Sequence, residues 1–297
     1  MQDNETMASI AVVIDSSASI VQKTTDMPLF ITIPQTVNIQ TTAHADWQLP
    51  SDSFYQSITS HPNWYKTSAA NPDLYLEAYK SGAEWAKYIL CIVPSPKLSA
   101  AYNSARIAQE QFREIFGTTT EVRVINSESG GPGMSILILY LSQMIRQGIP
   151  IDDIEANLLY AIKKLRFVAV VPSLTHLKAS GRVPWIAHLA ARALKAKFVI
   201  EFSDNRTKLL AVTKHLTTGL ERLIKEIGLS ELHSSPLNIP ITIMNANNPD
   251  ATNFMLRNLK ERSYPIKTID LNVSAAVATH VGPGFIGAAF VDFTNRK

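Results

Sequence analysis

The sequence contains a single cysteine, Cys91, among 297 residues, which excludes an intramolecular disulfide and a zinc site built from several cysteines. It also lacks a long hydrophobic run, since even the longest uninterrupted runs, such as Ile136–Leu141, are far shorter than the ~20 residues that cross a bilayer. The 28 Lys and Arg residues and the 25 Asp and Glu residues leave a net charge of only +3. That excess does not indicate nucleic acid binding. We therefore expect a chain that neither spans a membrane nor binds nucleic acid.

What the sequence does contain is typical of a globular protein, with 46% hydrophobic and 18% charged residues. The N-terminal segment is polar and acidic, without the basic and apolar regions of a signal peptide, so we expect a cytoplasmic protein. The length suits one large domain or two of ordinary size, at about 100–200 residues each.

In the first half of the chain, segments typical of strands alternate with segments typical of helices. The runs Ile10–Ile14 and Tyr88–Val93 predict buried strands. Asn71-Pro72-Asp73 has the cap, the proline and the carboxylate of a helix start, and that helix is predicted to extend to about Lys87. Further helices are predicted at Leu98–Phe116, Gly133–Gln147 and Asp152–Leu165, and further strands at Val122–Ile125 and Phe167–Val171. The alternation predicts crossover connections and a mainly parallel, Rossmann-like sheet.

The second half has a different pattern. Phe198–Phe202 and Leu209–Thr213 flank the polar turn Ser203-Asp204-Asn205 and predict a hairpin. Helices are predicted at Thr218–Ile227 and after Asn248-Pro249-Asp250, and strands at Ile239–Met244, Ile266–Leu271 and Gly284–Phe290. A hairpin among crossovers predicts a mixed sheet. The fold class is therefore α/β, with a first domain over residues 8–165 and a second, mixed-sheet domain over residues 166–297.

Several motifs of enzymes and metalloproteins are missing. The sequence has no GxSxG nucleophile elbow and no HExxH, and its seven histidines show no metal-ligand spacing. The glycine-rich segment Ser129-Gly130-Gly131-Pro132-Gly133 matches neither GxGxxG nor a P-loop, so a tight turn before a helix is the default interpretation. We predict no catalytic residue, no metal and no cofactor from these patterns.

Hydroxyl-bearing residues form three groups at places where we expect strands to end. They lie in Asp15-Ser16-Ser17, in Thr67-Ser68 and in the segment from Ser95 to Ser99. Each group alone is typical of turns and helix caps. Because ligands of open α/β sheets bind at the carboxyl ends of the strands, three such groups together favour a ligand site there.

One histidine has unusual neighbours. His280 is followed at once by Gly282-Pro283-Gly284, and glycine permits close approach of a backbone to a ligand. A lone histidine is more often structural, but this one is a candidate site residue. The basic loop Lys178–Arg182, taken alone, is typical of a solvated turn.

These segments together resemble the DegV family of bacterial fatty-acid-binding proteins, in the family's order and from about Ile10 to Phe290. The similar segments are Val13–Ala18 (family TDST(A/S)), Thr67–Pro72 (TSQPSP), Ser95–Tyr102 (SSxLSGTY), Asn126-Ser127 with Gly133 (DSxxxSxG), Leu174–Val183 (LxYLKKGGRI) and His280–Gly287 (HTGPGxxG). Departures from these patterns include Ala69, Pro96, Ala100, Ala101, Asn126 and Ser180. The resemblance identifies a divergent member.

The resemblance implies a function. It implies one long-chain fatty acid, of 14 to 20 carbons, in an apolar tunnel between the two domains, with its carboxylate held by Thr67, Ser99 and His280. It implies that Ser16, Ser68, Ser95, Gly282 and Gly284 line the pocket, and that Arg182 faces outward to a separate ATP-dependent fatty acid kinase. The protein is then a carrier without catalytic activity of its own.

Two other classes of function stay open at this point. One is a small-molecule enzyme on a Rossmann-like sheet, with His280 as the acid or base and Ser99 as nucleophile or orienting group. The other is an interaction or regulatory protein whose pocket is empty.

Overall fold

The computed structural model describes residues 10–20, 30–49, 52–184, 186, 196–203, 205–228, 239–262 and 268–292. Within them the strands are β1 (Ile10–Asp15), β2 (Phe30–Ile33), β3 (Thr36–Ile39), β4 (Thr42–Ala45), β5 (Tyr65–Ser68), β6 (Tyr88–Val93), β7 (Glu121–Asn126), β8 (Leu165–Val171), β9 (Lys197–Ser203), β10 (Arg206–Thr213), β11 (Ile241–Asn245), β12 (Thr268–Asn272) and β13 (Ile286–Val291). The α-helices are α1 (Asp52–Ser60), α2 (Pro72–Ala83), α3 (Ala101–Phe116), α4 (Pro132–Arg146), α5 (Ile151–Lys164), α6 (Thr175–Ser180), α7 (Leu216–Gly228), α8 (Pro249–Glu261) and α9 (Ala275–Val281).

The first large sheet is parallel, as the sequence predicts. Its strands lie in the order β2-β1-β6-β7, and every neighbouring pair is parallel. Strands β1 and β6 are almost wholly buried and apolar, which is typical of a sheet covered on both faces. Helices α2 and α3 cover one face of this sheet.

The second large sheet is mixed, in the order β10-β9-β8-β13-β11-β12. The predicted hairpin is present, because β9 and β10 pair antiparallel from Lys197 to Thr213. Strands β11 and β12 are parallel, whereas β13 runs antiparallel to β8 and β11. The predicted α/β class, with one parallel and one mixed sheet, is therefore confirmed.

Helix α4 connects the two sheets. It packs against β6 of the first sheet and against β8, β11 and β13 of the second. Thirteen of its residues are buried, including Met134 and Ser135 near its start, so apolar side chains surround the helix almost completely. A helix that is hydrophobic on all sides requires protein on all sides. The division of the chain at residue 165 stays a prediction, because this helix belongs to the core under both sheets.

Helix boundaries follow local capping chemistry. Asn71 caps α2 as predicted, since its side chain accepts a hydrogen bond from Leu74 N at 3.2 Å. That helix ends at Ala83 rather than near Lys87. Helix α3 begins at Ala101 rather than at Leu98, because the segment before it forms a turn.

Residues 24–60 show no regular sequence pattern, and part of that stretch lies outside the described residues. In the described part, β3 pairs with β4 and β5 in a small antiparallel sheet. No helix of the described residues has the length and apolar character to cross a bilayer.

Candidate ligand-binding cavity

A cavity of about 540 Å³ is lined by residues from both large sheets and from the helices between them. From the first sheet, its lining includes Ser17 after β1 and Pro94 after β6, at the carboxyl ends of parallel strands, where ligands of open α/β sheets bind. Thr67, near the end of β5 in the small antiparallel sheet, also lines it. The volume is within the range of about 300–1,000 Å³ that small-molecule sites have.

Apolar side chains form most of the wall. They come from the loop after β6, from β8 and β9, from α6 and the loop after it, and from α9 and the turn that follows it. The large ones are Leu98, Phe167, Leu177, Val183, Ile200, Phe202, Val277, Val281 and Phe285. An elongated apolar molecule is the kind of ligand that such a wall stabilises.

A polar group of side chains interrupts this wall. Thr67 Oγ1 and His280 Nε2 are 2.7 Å apart and share a hydrogen bond. The pKa of His280 is lowered to about 3, mainly by burial of the ring and further by electrostatic interaction with Arg182 and with His176. The imidazole is therefore neutral at physiological pH. Its Nδ1 atom is buried and has no hydrogen-bond partner among the described residues.

The tautomer of His280 follows from these contacts. A proton on Nδ1 would leave a buried N–H donor unsatisfied, which is rare and costly. A proton on Nε2 is instead donated to Thr67 Oγ1. The Thr67 hydroxyl then keeps its own proton for donation to a further acceptor.

Ser99 and Arg182 also line the cavity. Ser99 lines the cavity, and its Oγ accepts a hydrogen bond from Ala101 N at 3.2 Å. Arg182 Nε donates to the carbonyl of Leu98, next to Ser99, at 3.4 Å, and its Nη1 donates to Ser180 O at 2.6 Å. No carboxylate of the described residues forms an ion pair with Arg182.

The structure places Arg182, which the resemblance implies faces outward to a kinase, in the wall of the cavity, and its contact with a kinase stays a prediction. Its side chain lines the cavity and lies close enough to His280 to affect the pKa of that imidazole. The loop after α6 turns inward at Gly181, whose φ is +68°, and burial lowers the pKa of Arg182 itself. Sequence patterns could not predict this, because the loop resembles a solvated turn.

Of the other predicted pocket residues, Ser68 lines the cavity but Ser16 and Ser95 do not. Ser16 Oγ donates to Asp46 Oδ2 at 2.8 Å in a buried network. Ser95 Oγ donates to Asn205 Oδ1 at 2.6 Å, which joins the loop after β6 to the β9–β10 hairpin. Both hydroxyls are occupied by contacts within the protein.

Gly282 and Gly284 do not line the cavity either, and both have φ of +80°. A side chain at Gly282 would collide with the ring of His176, and one at Gly284 would press on Pro172. These glycines allow α9 to end beside α6. Gln35 lines the cavity although the sequence did not indicate it, and Ser17, from one of the three hydroxyl-bearing groups, lines it in place of Ser16.

The polar group consists of hydroxyls, a neutral imidazole and a guanidinium, with no carboxylate in the lining. Such a donor set suits an anion. The described part of the chain contains no group of three His, Cys, Asp or Glu residues that could hold a metal ion.

Comparison with known proteins extends this description. The chain is 25% identical over 255 residues to a DegV domain-containing protein of Clostridium perfringens, which covers 84% of this chain and 85% of that one. A Thermus thermophilus structure, named "Fatty Acid Binding of a DegV family Protein", superposes with a TM-score of 0.83 at 19% identity over 96% of this chain and 100% of the other. The Streptococcus pneumoniae Fatty Acid Kinase (Fak) B3 protein loaded with linoleic acid superposes with a TM-score of 0.84 at 18% identity over 96% and 99%.

These two structural likenesses show a shared fold. A family model described as "Uncharacterised protein, DegV family" matches residues 9–292, from the start of β1 to the end of β13. Because the match covers nearly the whole chain, this protein belongs to the DegV family.

Proposed function

We propose that this protein binds one long-chain fatty acid, with the acyl chain along the apolar wall and the carboxylate at Thr67, Ser99 and Arg182. The observation that carries the proposal is the cavity itself. The half-buried guanidinium of Arg182, which has no carboxylate partner among the described residues, lines a largely apolar cavity together with the hydrogen-bonded Thr67–His280 pair. A buried cation is costly unless it is paired, and a ligand carboxylate would pair it.

The two parts of the ligand contribute differently. Burial of a sixteen-carbon chain, at ~0.8 kcal/mol per CH₂, contributes on the order of 10 kcal/mol before ordering costs. A hydrogen bond to a charged group adds only about 1.5–3 kcal/mol. The apolar wall therefore supplies affinity, and the polar group determines which end of the molecule is held there.

His280 acts through Thr67 in this proposal. With Nε2–H donated to Thr67 Oγ1, the threonine hydroxyl is oriented to donate its proton to the carboxylate. His280 is then a positioning residue, whereas the sequence predicts it as a third direct donor. Ser99 donates from the turn before α3, and Arg182 supplies the positive charge.

The structures of related proteins support the choice of ligand. The Thermus thermophilus structure is named for fatty acid binding, and the Streptococcus pneumoniae protein was loaded with linoleic acid. The name of the latter also contains "Fatty Acid Kinase", which supports our further proposal that the bound acid is presented to an ATP-dependent kinase for acyl-phosphate formation. The enzyme alternative receives less support, because His280 Nε2 bonds to Thr67 and not to Ser99.

Denaturing extraction of the purified protein, followed by mass spectrometry, tests the proposal. We expect about one fatty acid of 14 to 20 carbons per chain, and delipidated protein should rebind such acids in titration. Absence of both results, with the protein folded by circular dichroism, would overturn the proposal.

A further inference from the structure

A second set of polar side chains lines the cavity and has no part in the proposed carboxylate contacts. Ser17 lies just after β1 and Gln35 just before β3, and both line the cavity. They are 6% and 7% exposed, so they are polar residues in the interior of the protein. Buried polar groups normally have hydrogen-bond partners, and the partners of this Ser17–Gln35 pair indicate its role.

Asp15 holds the two residues of the pair together. Its Oδ1 accepts hydrogen bonds from Ser17 N at 2.8 Å and from Gln35 Nε2 at 2.9 Å. The backbone of Gln35 is fixed as well, because its N–H donates to Ser16 Oγ at 2.8 Å and its carbonyl accepts from Asp46 N at 3.0 Å. The protein itself therefore sets the geometry of the pair, without help from a ligand.

Each residue of the pair keeps one polar atom without a good partner. Gln35 Oε1 forms no hydrogen bond with the described residues. The Ser17 hydroxyl donates to Met134 Sδ at 3.6 Å, and a thioether sulfur is a weak acceptor. An unsatisfied polar atom in the interior is costly, so both atoms favour a ligand that forms hydrogen bonds with them.

The pair requires both a donor and an acceptor from such a ligand. Gln35 Oε1 needs a donor, and the Ser17 O–H needs an acceptor better than sulfur. A hydroxyl group is both at once. A carbonyl or a carboxylate brings acceptors only, and these would face Gln35 Oε1 and the carboxyl group of Asp15.

The pair is close to the proposed carboxylate site without belonging to it. Strand β5 pairs Thr67 with Val37 of β3, and Gln35 is two residues before Val37. At about 3.3 Å per residue, Gln35 lies about 7 Å along the small sheet from Thr67. One elongated acid can therefore contact both places, with its carboxylate at Thr67 and a carbon of its alkyl chain at the pair.

We propose that the Ser17–Gln35 pair binds a hydroxyl group on the alkyl chain, so that hydroxylated fatty acids are ligands of this cavity. The proposal rests on the proposed function and extends its ligand class. The ligand hydroxyl donates to Gln35 Oε1 and accepts from the Ser17 hydroxyl. Against the apolar wall elsewhere, the same hydroxyl would lose its water without compensation.

The test titrates delipidated protein with hexadecanoic acid and with a series of hexadecanoic acids that each carry one hydroxyl at a different carbon. We expect one isomer to bind at least as tightly as hexadecanoic acid, because its hydroxyl reaches the pair. The other isomers should bind about 10-fold more weakly, because their hydroxyls are buried against the apolar wall.

Two variants locate this effect at the pair. Ser17→Ala removes the hydroxyl and keeps the backbone N–H that donates to Asp15, so the preferred isomer should lose about 5- to 10-fold in affinity relative to hexadecanoic acid. Gln35→Met, with a side chain of similar length and no amide, should cause a similar relative loss. Where Gln35→Met does not fold, Ser17→Ala alone provides the comparison. Thr67→Val is the matched control, and it should weaken hexadecanoic acid and the preferred isomer alike, since both carry the carboxylate.

Equal weakening of every isomer would overturn the inference, and so would a preferred isomer whose relative affinity is the same in Ser17→Ala as in wild type. In both cases, binding of hexadecanoic acid would still support the proposed function. Failure of every acid to bind, hexadecanoic acid included, would overturn the proposed function and this inference with it.

Discussion

Thr67 and His280 are 213 residues apart in the chain, and their side chains share a hydrogen bond of 2.7 Å. The bond joins the small antiparallel sheet of the first half to the last helix of the second half. It lies in the wall of the cavity, which Ser99 and Arg182 also line. The proposed ligand contacts therefore depend on both halves of the chain being correctly placed.

The first prediction concerns the Thr67 hydroxyl. Thr67→Val keeps the shape of the side chain and removes the donor, so affinity for hexadecanoic acid should fall by about 1–3 kcal/mol. Ser99→Ala and His280→Ala should weaken binding over the same range. Thr67→Ser is the matched control and should bind almost as wild type does. Isothermal titration provides the measurement, and an unchanged affinity of Thr67→Val would remove the hydroxyl from the site.

The second prediction concerns Arg182. Arg182→Met should weaken binding of the acid about 10- to 100-fold and leave the affinity for hexadecanol nearly unchanged, because only the acid pairs with the guanidinium. Lys178→Met, an exposed cation of α6, is the control. Acyl-phosphate formation with a fatty acid kinase, ATP and Mg²⁺, at saturating acid, tests the predicted partner contact separately. A rate equal to wild type under those conditions would contradict a contact between Arg182 and the kinase.

The third prediction concerns Asp46, a fully buried carboxylate whose Oδ1 has no partner among the described residues. Burial raises the pKa of Asp46 from 3.8 to about 6, so the folded protein holds a proton in a range of pH where the unfolded chain has lost it. The stability contributed by this proton is complete below pH 3.8 and is lost as the pH rises through 6. Asp46→Asn should therefore be more stable than wild type at pH 8, by about 2–3 kcal/mol, and the difference should vanish near pH 4.

Urea unfolding of Asp46→Asn at both pH values measures this difference. The exposed Asp52→Asn should show no comparable effect at either pH. If Asp46→Asn were less stable than wild type at pH 8, the prediction would be wrong. The contacts of the ionised carboxylate would then stabilise the fold by more than its desolvation costs.

The fourth prediction concerns Arg166, whose guanidinium contacts the buried carboxylates of Glu201, Glu226 and Asp292. Arg166→Met leaves these carboxylates with less positive charge, so the free energy of unfolding should fall by about 3–5 kcal/mol. Lys80→Met breaks the exposed Lys80–Glu77 pair and should change it by less than about 1 kcal/mol. Similar small effects of both variants in urea unfolding would refute the buried-charge explanation.

The fifth prediction concerns the contact between Ser95 and Asn205. The side-chain Oδ1 of Asn205 accepts a hydrogen bond from Ser95 Oγ at 2.6 Å, and its backbone carbonyl accepts one from Lys97 Nζ at 3.2 Å. These two bonds join the β9–β10 hairpin to the loop before Ser99. Asn205→Gly keeps the backbone conformation, at φ of 56°, and removes the side-chain bond. Exchange of bound fatty acid should become several-fold faster, as measured by transfer of a fluorescent acid to acceptor vesicles. Asn247→Gly, with φ of 53° outside the cavity lining, should exchange as wild type does.

The sequence by itself determined most of the secondary structure. Apolar runs such as Tyr88–Val93 form strands because a sheet covered on both faces requires them, and Asn71 and Asn248 cap helices through bonds to residues three positions ahead. The mixed second sheet followed from one hairpin pattern. The order of the family-like segments likewise indicated the DegV family, which the match over residues 9–292 confirmed.

Only the tertiary structure decided which side chains meet in the cavity. Ser17 lines it and Ser16 does not, although the two are adjacent, because Ser16 is held by Asp46. Arg182 is brought inward to Leu98, 84 residues earlier in the chain. Such contacts depend on how two sheets and the helix between them pack together. Local patterns specify strands, caps and turns, but the direction of a loop side chain depends on neighbours that are distant in the sequence.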